Sequence, residues 1–182
     1  MEHFYQNILY PEGWKVNFLS FYKDQVDRIE SGHFVEVGAF RGKSAAYMAV
    51  EIINSGKNIK FDVVDVWDTA DNSLKIFKNN LSSVLLNVNP IQMDSIEASK
   101  MYKDNSIDFI YIDSGHIAEY TYNEILSWYP KVKNGGILSG HDYKNDSWPG
   151  VTMAVDKFFG KKNVRIHPKD SYTWIMYKKI KC

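Results

Sequence analysis

Residues 34–44 read FVEVGAFRGKS. Phe34, Val35 and Val37 form a short apolar run that carries an acid at Glu36 and breaks at Gly38. Gly42 follows four positions later, and SAAYMAVEII then opens a helix-like pattern. Strand, glycine turn and helix in that order form the usual scaffold for a nucleotide at the carboxyl end of a strand. Gly38 is expected to let the chain turn sharply, and Gly42 to let backbone lie close under a ligand. The amides opening the helix at 43–46 offer donors. An ordinary strand-to-helix turn is the competing reading.

Working outward, the same alternation continues. Residues 14–31 carry Phe18, Phe21, Tyr22, Val26 and Ile29 at amphipathic spacing, with Gly32 as the expected helix stop. HFVEV is strand one, KSAAYMAVEIINS a helix and NIKFDVVDVW strand two. Residues 71–86 read as mostly helical, NVNPIQM as strand three and SIEASKMY as a short helix. SIDFIYID is strand four, AEYTYNEILSWYPKV a helix, GGILSGHD strand five and GVTMAVDKFFG a helix, with Pro149 at its first turn. NVRIHP and YTWIMYKK close the chain as two strands. The expectation is an α/β, Rossmann-like doubly wound sheet of seven strands, mostly parallel. Helices cover both faces and an antiparallel hairpin lies at one edge.

Composition narrows the class. With 22 Lys plus Arg against 22 Asp plus Glu the formal charge is zero, which offers no basic face for nucleic acid. The 45% hydrophobic content suits a full core. A lone cysteine, Cys182, excludes an intrachain disulfide and argues for a reducing compartment. Neither a secretory leader nor an apolar run near membrane length is legible. A soluble cytoplasmic protein without membrane or nucleic-acid partners is expected.

Asp65 ends strand two, where a carboxylate can accept both hydroxyls of a ribose. A loop or helix-capping acid is the alternative, and Asp68 could serve there instead. The turn is not G-x-G-x-x-G, because Ala39 and Phe40 fill its middle, and Phe40 and Arg41 crowd the place of a pyrophosphate. Lys43 and Ser44 lack the glycine spacing of a phosphate-binding P-loop. A nucleoside without phosphates fits better.

These pieces resemble class I S-adenosylmethionine-dependent methyltransferases. The matching segments are EVGAFRGKS, Asp65, QMDS, YIDSGH and NGGILSGHDY, in order over about residues 33–143. The resemblance implies one domain over 1–182, with an N-terminal helical segment (1–32) and a Rossmann-like core (33–182). It implies that Glu36 and Gly38 line the methionine end of the cofactor, with Ala39, Phe40, Gly42 and Ser44 from the same turn. Asp65, with Val66 beside it, would hold the ribose. Met93, Asp94 and Ser95 would surround the adenine, and Asp113 would also reach the cofactor.

The second half resembles the macrocin-type and cephalosporin-hydroxylase-like branch, small-molecule O-methyltransferases that often bind a divalent cation beside the acceptor. Catechol O-methyltransferase has a similar layout. Carried over, Asp113 is the strand-four acid, His116 the base, and His141 with Asp142 the strand-five pair. The implied metal set is Asp113, His141 and Asp142, for magnesium or manganese. The branch commonly has an acid where His141 stands. Magnesium prefers oxygen ligands, so histidine weakens that ion's case and favours manganese, iron or zinc, or no metal.

The chemistry is sound by itself. A hydroxyl is a weak nucleophile until it loses its proton. A cation on its oxygen lowers its pKa, and a neutral histidine accepts a proton near pH 7. The bland readings remain: strand-end carboxylates that cap loops, and a His116 facing solvent at a helix start. Tyr10, Trp14, Tyr143 and Trp148 are candidates for an acceptor pocket, Tyr143 and Trp148 foremost. Phe158, Phe159, Trp128 and Tyr129 read as core. The expected partner is a small hydroxylated acceptor, with nitrogen as an alternative atom, and a homo-oligomer fits the branch. A nicotinamide-dependent oxidoreductase and a non-catalytic member of the fold are the rival functions.

Overall fold

The computed structural model describes residues 1–11, 17–68 and 73–179. Trp14, Cys182 and the expected helix start at Asp71 lie outside them. The chain runs α1 (Leu19–Arg28), β1 (Ser31–Val37), α2 (Lys43–Ser55), β2 (Asn58–Asp65) and α3 (Ser73–Asn80). It continues through β3 (Asn89–Gln92), α4 (Ser95–Ser99), β4 (Ile107–Ile112), α5 (Ala118–Trp128) and β5 (Val132–Gly140). It closes with α6 (Pro149–Phe159), β6 (Arg165–His167) and β7 (Asp170–Tyr177).

The strands form one seven-stranded sheet in the order β3-β2-β1-β4-β5-β7-β6. The four pairings that join β3, β2, β1, β4 and β5 are parallel, while β7 runs antiparallel to both β5 and β6. The order reverses between β1 and β4, where ligands of doubly wound sheets bind.

Alternate strand residues feed two cores. Phe34, Phe61, Val63, Phe109 and Tyr111 face α1 and α2, with Phe77 of α3. Val35, Val37, Val64, Ile110 and Ile112 face the opposite way, against Ala98, Ile125, Trp128 and Val155 of α4, α5 and α6. Burial on both sides explains the nearly continuous apolar runs. Each such side chain contributes roughly 1.5–3 kcal/mol.

Three expectations change. Gly32 does not stop a helix: α1 ends at Arg28, and Gly32 lies inside β1. A Cβ there would lie 2.6 Å from the Asp108 carboxylate, which receives the neighbouring His33 amide. The helix expected to run to residue 86 ends at Asn80, followed by turns and a 3-10 turn at Leu85–Asn87. Phe158, Phe159 and Tyr129 are only partly buried, packed against the core that holds Trp128.

Register positions the site. Beyond the paired residues, Gly38 N donates to Val64 O, Asp113 N to Val37 O, His141 N to Ile112 O and Met93 N to Asp65 O. These bonds draw the exits of β1 through β5 into one row along the carboxyl edge.

Candidate active site

A cavity of about 680 Å³ opens over that row. Its first half is the glycine turn. Gly38 has φ +85° and sits so close to β4 that a Cβ would lie 2.1 Å from the Asp113 carbonyl oxygen. No other residue fits there. Asp65 Oδ2 accepts the amides of Ala39 (2.9 Å) and Phe40 (2.8 Å), and its Oδ1 accepts that of Trp67 (2.9 Å). The Trp67 indole N–H donates to Phe40 O at 2.8 Å. Three of the roughly four lone-pair sites of Asp65 therefore hold the turn itself. Its remaining capacity faces the cavity that it lines.

Gly38, Ala39, Phe40, Ser44, Asp65, Val66, Met93, Ser95 and Asp113 all line the cavity. Glu36, Gly42 and Asp94 stand behind its wall. Glu36 is buried and accepts the Ser44 hydroxyl on Oε1, while its Oε2 has no partner among the described residues. Burial pushes its pKa up to about 8; the Ser44 hydrogen bond opposes this, and the Asp113 and Asp65 charges add to it. Gly42, in the left-handed conformation before α2, meets packing rather than a ligand: a Cβ would lie 2.4 Å from Leu81 and 2.7 Å from Phe77. Asp94 caps α4, accepting Ile96 N at 2.9 Å, Glu97 N at 3.1 Å and the Tyr120 hydroxyl at 2.7 Å. Burial pushes its pKa up, but these hydrogen bonds outweigh burial and hold it below the usual range.

The second half gathers Asp113, His116, His141 and Asp142, all on the cavity wall. His116 Nε2 lies 2.9 Å from Asp142 Oδ2, and Asn145 Nδ2 donates to Asp142 Oδ1 at 2.7 Å. The Trp148 ring tilts over the His116 ring with centroids 4.1 Å apart. His116 precedes α5 rather than opening it. Its backbone is held by α6, where a Cβ on Gly150 would lie 2.3 Å from the His116 carbonyl oxygen. Around His141, Nδ1 is 3.4 Å from Asp142 Oδ1 and 4.0 Å from Asp113 Oδ1, and Nε2 is 3.6 Å from Asp170 Oδ2.

The charges are strongly coupled. Burial lowers the His116 pKa, but the hydrogen bond and charge of Asp142 outweigh it and raise it above the ordinary value. Burial opposes His141 too, yet Asp142, Asp170 and Asp113 push it up to about 10. Asp113 is pushed up to about 6 by burial, with His141 pulling against this. Burial pushes Asp142 up, but the two histidines hold it far below the carboxylate range.

Of the aromatic candidates, Tyr10 and Trp148 line the cavity. Tyr143 does not: it is 1% exposed in the core, and its hydroxyl donates to Asp156 at 2.6 Å. It follows Asp142, whose φ of +60° turns the chain just beyond β5. Asn145, Tyr120, Tyr172 and Asp170 went unread in the sequence. Asn145, three residues after Asp142, carried a weak local signal; Asp170 carried none, because the β6–β7 hairpin brings it from afar.

Asp113, His141 and Asp142 each offer a ligand atom within 4.8 Å of the others. Two carboxylates and an imidazole are a chemically reasonable donor set for a divalent cation. No described helix is long and apolar enough to cross a membrane.

A family model described as a methyltransferase domain matches residues 35–143, more than half of the chain. No curated protein matches the chain in sequence. Among solved structures, CalS11, a TDP-rhamnose 3'-O-methyltransferase of calicheamicin biosynthesis, aligns with TM-score 0.66 and 16% identity over 87% of this chain and 76% of that one. The O-methyltransferase NovP aligns with TM-score 0.66 and 18% identity over 90% and 80%. A SAM-dependent O-methyltransferase from Thermotoga maritima aligns with TM-score 0.64 and 14% identity over 96% and 68%. At these identities the likeness is one of fold. The chain therefore belongs to the methyltransferase-domain family, with a fold shared by O-methyltransferases that use S-adenosylmethionine.

Proposed function

We propose that the protein transfers the methyl group of S-adenosylmethionine to a hydroxyl oxygen of a small molecule, a sugar or natural product. One observation carries the reading: a single cavity joins the glycine turn and Asp65 at one end to the His116–Asp142 pair at the other. The cofactor set is Gly38, Ala39, Phe40, Ser44, Asp65, Val66, Met93, Ser95 and Asp113. Glu36, Gly42 and Asp94 support that set from behind.

The chain's own residues perform the rest. Asp142 accepts the Nε2 proton of His116, which leaves Nδ1 as the basic atom. The acceptor hydroxyl gives its proton to Nδ1 while its oxygen bonds to the sulfonium methyl carbon. The carbon–sulfur bond breaks and its electrons return to sulfur, yielding the methyl ether, S-adenosylhomocysteine and an imidazolium. Two partners held in line in one cavity provide most of the acceleration. Trp148 shields the His116 ring and presents an aromatic face beside it. Asp113, His141 and Asp142 would hold a divalent cation, which when bound lowers the acceptor's pKa and orients it.

Calorimetric titration of S-adenosylhomocysteine, with NADH as control, tests the cofactor. Binding of the former alone is the expected result. NADH binding would revive the oxidoreductase reading, and absence of both would overturn the proposal. Methyl transfer to a panel of hydroxylated acceptors then separates an enzyme from a non-catalytic member of the family.

A further inference from the structure

Asp170 is almost fully buried, 4% exposed, and is fixed by its own strand. Its Oδ2 accepts the Thr173 hydroxyl at 2.6 Å and its Oδ1 accepts the Tyr172 amide at 3.2 Å. Thr173 is in turn 3.0 Å from the Tyr111 hydroxyl. This anchored carboxylate faces Nε2 of His141 at 3.6 Å, an ion-pair contact longer than a direct hydrogen bond. The rings of Phe18 and Tyr172 stand 5.2 and 6.2 Å from the imidazole and limit its rotation. Nδ1 is thereby turned toward Asp113 and Asp142.

The spacing is informative. His3–Glu51, His33–Asp62 and His116–Asp142 close to 2.7, 2.8 and 2.9 Å, the range of direct hydrogen bonds. His141 Nδ1 instead stays 3.4 and 4.0 Å from its two acids. Ligands about 2.1 Å from one ion sit about 3 Å or more from each other. A carboxylate on the far nitrogen of a histidine is the common device that orients such a ligand and raises its basicity.

We propose that Asp170 is a positioning residue that presents His141 Nδ1 as a nitrogen ligand, so that this site takes a first-row transition cation in preference to magnesium. The inference rests on the reading of this cavity end as the acceptor site. Oxygen-only coordination suits magnesium and manganese, whereas imidazole suits iron, nickel, copper or zinc, and cobalt lies between iron and nickel in the affinity series.

The test is equilibrium titration of the full-length protein with Co²⁺, Mn²⁺ and Mg²⁺, read by the visible Co²⁺ spectrum and by calorimetry. Expected is one equivalent of Co²⁺, bound at least about tenfold tighter than Mg²⁺, with Mn²⁺ between them. Asp170→Asn should weaken Co²⁺ about 10–100-fold with S-adenosylhomocysteine affinity unchanged. His141→Asp should shift the preference toward Mg²⁺ and alter the Co²⁺ spectrum. Should Asp170→Asn fail to fold, by thermal melt, the His141→Asp preference decides. Wild type that binds no divalent cation, or Mg²⁺ as tightly as Co²⁺, overturns the inference, as does unchanged Co²⁺ affinity in Asp170→Asn. Cofactor-product binding reports on the proposed function separately, so the two can fail independently.

Discussion

The two halves of the carboxyl edge use the same residue types differently. At the exits of β1 and β2, polar groups are bound to the chain itself: Asp65 takes three amides, and Glu36 takes the Ser44 hydroxyl. At the exits of β4 and β5, Asp113, His116, His141 and Asp142 face one another across a wall of the cavity. The first half is a prebuilt mould whose shape is maintained by backbone hydrogen bonds. The second is a charged cluster whose protonation depends on what its members meet. A cofactor suits a mould, and acceptor chemistry suits titratable groups.

Substitutions should therefore divide by half. The largest effect is expected at His116: with Gln there, methyl transfer should fall about a thousandfold while S-adenosylhomocysteine affinity stays within about threefold. Equal loss of both would break the division. Next comes Asp65→Ala, which strands three amides at roughly 1–3 kcal/mol each before relaxation. Calorimetry should show cofactor-product affinity reduced about a hundredfold, about 2.7 kcal/mol, with a lowered melting temperature.

Gly42→Ala sharpens the contrast between mould and packing. Its φ of +85° and the nearby Leu81 should cost roughly 2–3 kcal/mol of stability in denaturant melts. Affinity for S-adenosylhomocysteine should change less than about twofold, because Gly42 supports the turn from behind. A large affinity loss without destabilisation would return Gly42 to the ligand.

The smallest effect concerns the acids behind each half. Burial raises Glu36 to about 8 and the buried Glu124 of α5 to about 7, the latter against a hydrogen bond from Ser114. The unfolded chain releases these protons near pH 4.3, so between about pH 5 and 7 the folded state holds more protons. Stability then falls as pH rises, by roughly 2 kcal/mol per group across that window. Glu124→Gln should flatten the slope in melts recorded at pH 5, 6 and 7; an unchanged slope would show that Glu124 ionises normally.

Much of this was legible from local pattern. Gly38 could be read because a positive φ and close backbone approach leave one residue type. Helix α2 could be read end to end: KSAAYMAVEIINS is the observed Lys43–Ser55. Burial on both faces was visible in the nearly continuous apolar runs of β1, β2 and β4. Tyr143 could not be read, because the strand exit decides whether a side chain turns to cavity or core. Gly32 was misread because a glycine after a helix pattern looks like a stop, whereas here the crowding comes from Asp108, 76 positions away.

The sequence by itself determined the alternating fold, the cofactor-type turn and the acids and histidines at strand ends. Those properties depend on periods of 2 and 3.6 residues and on single-residue chemistry. Only the tertiary structure decided that Asp65 is largely committed to the turn, that Asp142 pairs with His116, and that Asp170 reaches His141. Each of these depends on distances between segments far apart in the chain. Sheet register and helix packing set such distances, and no local pattern encodes them.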